Sequence, residues 1–229
     1  MSLPVEENRE AVLAPDAPDT GAGQQLNAEA LDTFLQRHRR FAVAFSGGTD
    51  SALLLGMAKL AGCKAAAYMV KTAFQPQFEL EDARAVAQAL DVPLTVIEAD
   101  VLSEGDICEN PPERCYLCKR FIFGIIQKAA EADGYALVAD GTNGSDNPAR
   151  RPGFRALAEA GIVSPLRRAG LSKQQVRSFS AHVEAQLGLE RGTLKGSKPS
   201  FPCLAVFVPE GSFITKAALE TAAITRGVS

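Results

Sequence analysis

The stretch from Phe41 to Leu55 constrains the fold of this chain most strongly. A short apolar run, Phe41–Phe45, leads directly into a polar, glycine-containing run made of Ser46, Gly47, Gly48, Thr49, Asp50 and Ser51. An apolar run that is bounded by glycines is typical of a buried strand in a parallel sheet. Gly47 and Gly48 allow the backbone to approach a ligand closely, and Thr49, Asp50 or Ser51 can cap a following helix. The pattern therefore predicts a strand, a tight turn and a helix whose first N–H groups can bind an anion.

The same alternation of strand and helix continues along the chain. Residues 64–70, 94–98 and 135–139 have the composition of strands, and helical patterns occupy residues 77–90 and a segment that ends near Ala132. This order predicts an α/β fold with a doubly wound parallel sheet and right-handed crossovers. Ligands of such sheets bind at the carboxyl ends of the strands, which is where the Ser46–Ser51 turn lies.

The fourth predicted strand leads to a second polar run at the same edge of the sheet. Its residues are Asp140, Gly141, Thr142 and Asn143. Polar residues in this position are candidate site residues, although Asp140 and Asn143 can also simply shape a turn. A short fifth strand is predicted at Gly161–Leu166, followed by a helix that Ser172 caps and that ends near Leu187.

Three segments are predicted from these patterns. Residues 1–25 are rich in proline, glycine and acidic residues and are expected to be disordered. Residues 26–190 form the α/β domain that contains the predicted sheet and its anion-binding turn. Residues 191–229 form a C-terminal segment that is rich in glycine, proline and lysine and carries Cys203.

Charge and cysteine content narrow the class of protein. The net charge of −3 over 229 residues gives no general attraction to nucleic acid. No apolar run is long enough for a membrane span and no signal peptide is recognised, so a cytoplasmic protein without a membrane partner is expected. Five cysteines in such a chain favour metal binding or catalysis over disulfides.

Three of the cysteines are candidates for chemistry. Cys115 and Cys118 form a Cys-x-x-Cys pair, which alone could be a redox pair or half of a zinc site. A second such pair is absent from the sequence. With Cys203 the count is three, and three thiolates can hold three irons of a 4Fe–4S cluster and leave the fourth iron open.

The Ser46–Ser51 turn resembles the PP-loop of the ATP pyrophosphatases, which cut ATP between its α and β phosphates. It lacks the Gly-Lys-Ser/Thr of a Walker loop and the Gly-x-Gly-x-x-Gly of a dinucleotide fingerprint. By this resemblance, Ser46, Gly47, Gly48 and Ser51 cradle the pyrophosphate. Asp50 helps to orient the pyrophosphate or its Mg²⁺.

Longer stretches, within about residues 28 to 205, resemble one family of these proteins, the LarE family of ATP-dependent sulfur-insertion proteins of nickel-pincer nucleotide synthesis. The matching stretches are Asn110–Lys119, Asp140–Asn143, Arg151–Gly153, Gly161–Leu166 and Lys198–Ala205. The chain departs from the family pattern after Ala205. The family pattern has Ser-Arg and then a Pro-Tyr-Gly run, whereas this chain has Val206-Phe-Val-Pro-Glu-Gly211 and is expected to end earlier than family members do.

The family resemblance implies a reaction and roles for residues. ATP adenylates a carboxylate of a pyridinium dicarboxylate mononucleotide, and a protein sulfur atom then displaces AMP. In one branch of the family the sulfur comes from a cysteine at the position of Cys203. In the other, cysteines at the positions of Cys115, Cys118 and Cys203 hold an iron–sulfur cluster, and this branch is favoured here because all three are present. Lys119 is expected to neutralise phosphate or carboxylate charge.

A loop over residues 146–154 is expected to cover the site and to offer Asp146, Arg150 and Arg151 to the substrate. ATP and Mg²⁺ are the expected cofactors, and a homo-oligomer is compatible with the sequence. Three other functions stay open. A tRNA thiolase also combines a PP-loop with cysteines, an amide-forming PP-loop synthetase needs no cysteines, and a nucleotide-binding sensor needs no turnover.

Overall fold

The computed structural model describes residues 30–146, 153–199 and 201–228. The predicted disorder of residues 1–25, and Arg150 and Arg151 of the predicted loop, lie outside the described residues. Among the described residues, no helix combines the length and apolar character needed to cross a bilayer.

A parallel sheet organises the described chain. Its strands are β1 (Arg40–Ala44), β2 (Lys64–Lys71), β3 (Leu94–Glu98) and β4 (Val138–Asp140). They lie side by side in the order β3-β2-β1-β4, and every pair is parallel. The chain therefore winds outward from β1 through β2 and β3, and then returns to place β4 on the other side of β1. The crevice between the carboxyl ends of β1 and β4 is the topological switch point, where ligands of such sheets bind.

Helices cover both faces of the sheet, as the predicted doubly wound α/β fold requires. They are α1 (described over residues 30–37), α2 (Thr49–Leu60), α3 (Gln77–Ala89), α4 (Gly105–Cys108), α5 (Arg114–Ala132), α6 (Gly153–Glu159), α7 (Pro165–Arg168), α8 (Lys173–Leu187) and α9 (Lys216–Thr225). Apolar residues of α1, α2, α3 and α8 pack on one face, and those of α5 and α6 pack on the other. The fold-class prediction is confirmed.

The two cores follow from the alternation of side chains along each strand. On β1, Phe41 and Val43 belong to the core under α2, whereas Ala42 belongs to the core under α5. On β2, Met69 belongs to the core under α2 and Tyr68 belongs to the core under α5. Because both faces are covered, the strands have the continuous apolar sequences that were used to predict them.

A third apolar cluster connects the C-terminal segment to the domain. Leu204, Ile214 and Leu219 are buried there against Phe74, which follows β2, and Ile107 of α4. Cys118 and Cys203 are partly buried against the same cluster. This packing brings the segment that carries Cys203 to the N-terminal end of α5.

Two local predictions differ from the structure. Helix α5 begins at Arg114, so Cys115 and Cys118 lie inside its first turns rather than before it. The predicted strand at Gly161–Leu166 is wrong, because its only sheet contact is an isolated bridge between Val163 and Ala139. Pro165 instead begins α7, since proline fits the first position of a helix but removes a donor from a strand.

Candidate active site

The turn between β1 and α2 leaves helix N–H groups without a capping side chain. Gly47 has a φ of +73°, and a Cβ there would lie 2.7 Å from the carbonyl oxygen of Glu79, so only glycine fits against α3. Gly48 is the N-cap of α2, and it has no side chain with which to cap the helix. The first turn of α2 therefore offers its N–H groups and the positive end of the helix dipole to an anion.

The two serines of the turn hold its shape. The Ser51 hydroxyl donates to the Gly48 carbonyl at 3.1 Å, and its oxygen accepts from the Ser46 N–H at 3.4 Å. The Ser46 Oγ accepts from the Gly48 N–H at 3.3 Å and lies 3.3 Å from the Ser51 Oγ. These weak contacts keep both hydroxyls at the mouth of the turn.

The loop after β4 packs directly on this turn. A Cβ at Gly141 would lie 2.5 Å from the Ser51 nitrogen, so the two backbones are in close contact. The Asn143 Nδ2 donates to Asp50 Oδ1 at 3.1 Å, and Lys173 Nζ donates to Asp50 Oδ2 at 2.6 Å. The structure thus brings the predicted runs Ser46–Ser51 and Asp140–Asn143 together at the switch point.

Asp140 is buried at the base of the site. Only 7% of the residue is exposed. Ser164 Oγ donates to its Oδ1 at 2.6 Å, and Thr142 Oγ1 donates to its Oδ2. Burial raises the pKa of Asp140 above its ordinary value, although the two hydroxyls and the positive charge of Lys119 act in the opposite direction. The carboxyl of Asp140 therefore fixes the loop through its two hydrogen bonds. A positive charge close to it favours its ionised form.

Three lysines that the sequence analysis did not single out line the site. Lys173 lies at the start of α8, just after the capping box that Ser172 forms with Gln175. Lys195 and Lys198 come from the glycine- and lysine-rich stretch after α8, and both form ion pairs with Asp82. Lys198 opens the Lys198–Ala205 stretch that matches the family, but the only sequence signal for Lys195 was its charge in an irregular stretch, and such charge usually indicates solvent exposure.

The site consists of two neighbouring cavities of about 230 and 280 Å³. Both are lined by Ser46, Asp50 and Glu79. The first also contains Gly47, Gly48, Thr49 and the three lysines. The second extends over apolar residues of β1, β2 and α5 to Lys119, Asp140, Thr142 and Asp146. The first cavity thus combines the N–H groups of the turn with three lysines and three carboxylates, and the second is mainly apolar with a few polar groups.

Glu79 stands at the boundary between the two cavities. Burial raises the pKa of its carboxyl to about 7, even though the charges of Lys71 and Lys198 lower it. A carboxyl in this state titrates near neutral pH and adds less negative charge to an anion site than an ordinary glutamate does.

The three candidate cysteines converge at the N-terminal end of α5. Cys115 and Cys118 are three residues apart on the helix, and Cys203 immediately precedes a short 3₁₀ turn at Leu204–Phe207. Burial raises the pKa of Cys118 to about 12, and the negative charges that Cys203 and Cys115 carry when ionised add to this rise. Burial also raises the pKa of Cys203, against the lowering effect of Arg114. The three thiols are therefore close enough to interact electrostatically, and the raised pKa values keep Cys118 and Cys203 largely protonated at neutral pH.

Arg114 connects the cysteines to the C-terminal segment. Its Nη1 donates to Asn110 Oδ1 at 2.6 Å and to the Ala205 carbonyl at 2.7 Å, and its Nη2 lies 3.6 Å from Cys115 Sγ. Within the described ranges, no group of three or more cysteine, histidine or carboxylate side chains has the spacing of a metal site. The three thiols supply suitable donors for iron, but they do not form a ready ligand set, and the cluster stays a prediction.

Known proteins with related sequences identify the family. An uncharacterised protein of Synechocystis sp. is 36% identical over 191 residues, which are 82% of this chain and 67% of that protein. The pyridinium-3,5-bisthiocarboxylic acid mononucleotide synthase of Lactiplantibacillus plantarum is 33% identical over 147 residues, or 63% of this chain and 53% of that protein. This chain belongs to the LarE family. The family assignment made from the motifs is confirmed, and with it the assignment to the ATP pyrophosphatase type of enzyme.

The LarE assignment rests on sequence relatives, and the fold agrees with it. An uncharacterised protein of Methanocaldococcus jannaschii is 35% identical over 66% of this chain, which spans 58% of that relative. The NH3-dependent NAD synthetase of Campylobacter jejuni superposes with a TM-score of 0.52 at 18% identity, over 78% of this chain and 79% of that one, and shows the shared fold alone. No protein-family model matches the chain.

The predicted site residues of this LarE-family chain fall into two groups. The turn residues, Lys119, Asp146 and the loop residues Asp140, Gly141 and Thr142 line the cavities at the switch point, and Asn143 contacts Asp50 beside them. Asp146 Oδ2 accepts from the Asn143 N–H at 3.1 Å, so it also holds the loop. Cys115, Cys118 and Cys203 form the second group at the start of α5, where Lys119 follows Cys118 directly. The roles predicted for these residues remain predictions.

Proposed function

We propose that the protein is an ATP-dependent sulfur transferase that adenylates a carboxylate of a pyridinium dicarboxylate mononucleotide, releases pyrophosphate and then inserts sulfur. The observation that carries the proposal is the joining of a cavity lined by lysines and N–H groups to a mainly apolar cavity that Lys119, the residue after Cys118 on α5, also lines. The relative in Lactiplantibacillus plantarum, a pyridinium-3,5-bisthiocarboxylic acid mononucleotide synthase, supports this substrate class.

In the adenylation step, the turn binds the β and γ phosphates. The N–H groups at the start of α2 and the hydroxyls of Ser46 and Ser51 surround the anion, and Lys173 adds a positive charge. Asp50, which faces the same cavity, orients the pyrophosphate or holds Mg²⁺, whose preferred ligands are oxygens. The substrate carboxylate attacks the α phosphorus and pyrophosphate leaves. Most of the rate enhancement would come from these fixed charges and dipoles.

The second cavity would hold the activated substrate. Its apolar walls from β1, β2 and α5 exclude water from the acyl adenylate, which water would otherwise hydrolyse. Lys119 lines this cavity and acts electrostatically on Asp140. Its ammonium group can therefore neutralise a carboxylate or a phosphate of the substrate without leaving its position on α5.

In the sulfur step, the thiolate of Cys203 attacks the acyl carbon and AMP leaves, which gives a thioester. Removal of the Cα proton of residue 203 then breaks its Cβ–Sγ bond and leaves a thiocarboxylate and dehydroalanine. Because burial raises the pKa of Cys203, the positive charge of Arg114 is needed to favour the thiolate. In the other route, which the sequence favoured, a 4Fe–4S cluster on Cys115, Cys118 and Cys203 would supply sulfide instead. The Cys203 route is placed first because the described side chains do not form a ready ligand set. A cytoplasm is the proposed compartment, because thiols stay reduced there.

The proposal is tested by following both steps in one reaction. Protein, ATP, Mg²⁺ and the dicarboxylate mononucleotide are mixed, and pyrophosphate and thiocarboxylate are measured by enzymatic assay and mass spectrometry. The wild type is expected to form both. Cys203→Ala is expected to release pyrophosphate but to form no thiocarboxylate. Cys63→Ala is the control, because the Cys63 thiol donates to the Leu35 carbonyl at 3.3 Å and does not line the two cavities, and it is expected to behave as the wild type.

The same experiment separates the alternatives. Wild-type protein that becomes lighter by the mass of H₂S has used Cys203 as the sulfur source. Full thiocarboxylate formation by Cys203→Ala would contradict both proposed routes. Binding of ATP with no turnover would indicate a sensor, and an anaerobic count of iron and sulfide tests the cluster directly.

A further inference from the structure

Two lysine side chains share one carboxylate in the phosphate-facing cavity. Lys195 Nζ lies 2.9 Å from Asp82 Oδ1, and Lys198 Nζ pairs with Asp82 Oδ2. The side chains of Lys195 and Asp82 are only 23% and 19% exposed. All three residues line the cavity that contains Ser46, Gly47 and Gly48. The two cations therefore face the same space as the N–H groups of the turn.

The backbone around Lys195 is held in an uncommon conformation. Its φ is +61°, in the left-handed region that non-glycine residues seldom adopt. The hydroxyl of Thr49, in the first turn of α2, donates to the Lys195 carbonyl at 2.7 Å. The Lys198 N–H donates to the same carbonyl at 2.9 Å. These contacts fix the Lys195–Lys198 segment against the start of the helix, and such a constraint is often found at binding sites.

The charges on this wall of the cavity are not balanced by Asp82. Two ammonium groups on one carboxylate leave one excess positive charge, and Glu79, whose pKa is about 7, does not fully compensate it. Hydrogen bonds from Lys198 and Lys195 lower the pKa of Asp82 although burial raises it, so this carboxylate is ionised. A carboxylate with one lysine on each oxygen presents negative charge and two acceptor oxygens, as a phosphate group would present to the same lysines.

We propose that Lys195 and Lys198 bind the pyrophosphate portion of ATP, and that Asp82 occupies their ammonium groups while the site is empty. This inference rests on the proposed function and names two residues that bind its leaving group. When the nucleotide enters, the ammonium groups exchange the Asp82 oxygens for oxygens of the β and γ phosphates. The two lysines then face the N–H groups of the α2 turn across the anion, so that pyrophosphate is held from both sides.

A purely structural role for the cluster predicts a different pattern of mutant effects. If the ion pairs only fasten the 195–198 segment to α3, removing either partner weakens the site in the same way. If Asp82 instead competes with the anion, removing Asp82 strengthens anion binding while removing a lysine weakens it. The sign of the Asp82 effect therefore distinguishes the two roles.

The test measures binding of inorganic pyrophosphate with Mg²⁺ by titration calorimetry on the full chain. Lys195→Gln and Lys198→Gln are each expected to weaken binding about 10- to 100-fold, since each removes a charge-assisted hydrogen bond. Asp82→Asn is expected to tighten binding about two- to tenfold, because two partly exposed ion pairs no longer have to be broken. Lys198→Arg keeps the charge and is expected to stay near wild type.

Lys216→Gln is the matched control, because Lys216 is 82% exposed on α9 and pairs only weakly, at 3.9 Å, with Glu220. Thermal unfolding of each variant shows whether the fold is retained. Unchanged binding by the folded Lys195→Gln and Lys198→Gln variants would overturn the inference, as would weaker binding by Asp82→Asn. Either result leaves the proposed function standing if the wild type still releases pyrophosphate from ATP. Wild-type protein that neither binds nor releases pyrophosphate would overturn both.

Discussion

A methyl group at Gly141 tests whether the contact between the loop after β4 and the α2 turn is needed for ATP cleavage. An ideal Cβ at this position would lie 2.5 Å from the Ser51 nitrogen, 2.8 Å from the Ser51 Cα and 2.9 Å from the Asp50 carbonyl carbon. All three are backbone atoms, so no rotation of a side chain relieves the clash. The two segments must separate by about 0.9 Å before the closest approach reaches an ordinary contact of 3.4 Å.

The size of the effect follows from that displacement. Overpacking of this kind costs about 1–3 kcal/mol, which for a chain of this length lowers the unfolding midpoint by roughly 2–12 °C. A misplacement of about 1 Å between groups that act together costs on the order of 10²-fold in rate. Gly141→Ala is therefore expected to remain folded and to lose about two orders of magnitude in the rate of pyrophosphate release.

Gly124→Ala is the matched control, because Gly124 lies within α5 and a Cβ there meets no atom within 4 Å. This variant is expected to keep full activity and to gain up to about 1 kcal/mol of stability, since alanine favours a helix over glycine. Pyrophosphate release and thermal unfolding are measured on both variants. Wild-type activity of folded Gly141→Ala would show that the two runs need not touch, and would refute the reasoning.

Three further predictions concern titration and capping. Burial raises the pKa of Glu79 from 4.5 to about 7, so the native protein binds more protons than the unfolded protein between these pH values. The stability of the wild type should therefore fall relative to that of Glu79→Gln as the pH rises from about 4.5 to 7. Melting temperatures that change in parallel for the two proteins would contradict this. Burial raises the pKa of Cys203, and the positive charge of Arg114 acts against this rise. Arg114→Met should therefore shift the pH dependence of Cys203 alkylation by iodoacetamide to higher pH. An unchanged pH dependence would exclude this electrostatic role of Arg114. Because Ser172 caps α8, Ser172→Ala should lower the free energy of unfolding by about 0.5–2 kcal/mol, measured by thermal unfolding. Ser178→Ala, at an exposed position of the same helix, should leave it almost unchanged. Equal effects of the two substitutions would argue against the cap.

The parts of the fold that could be predicted from the sequence are those in which local pattern and tertiary environment agree. Strand β3 and the Ser172 cap lie where the sequence indicated. The β1–turn–α2 unit does so within one residue, because a buried parallel strand must be apolar and a turn against α3 must be glycine at residue 47. The Asp140–Asn143 run could be placed beside this turn because parallel strands end at one edge of a sheet.

The remaining parts depend on contacts that no local pattern encodes. Helix α5 begins at Arg114, whose side chain donates to the Ala205 carbonyl, 91 residues away in sequence. Lys195 and Lys198 enter the site only because the C-terminal segment packs along α3, and their ion pair with Asp82 spans more than 110 residues. Convergence of the cysteines likewise requires the third apolar cluster. The family resemblance predicted that Cys203 acts with Cys115 and Cys118, but the packing that brings them together could not be predicted from the sequence.

The central claim is that the α2 turn holds ATP so that the bond between its α and β phosphates breaks. Phosphorus NMR of a reaction that contains the protein, ATP, Mg²⁺ and the dicarboxylate mononucleotide tests this claim most directly, because it identifies every phosphate product. The account predicts that AMP and pyrophosphate form in equal amounts and that neither forms with Gly141→Ala at the wild-type rate. ADP and inorganic phosphate as the products would contradict it.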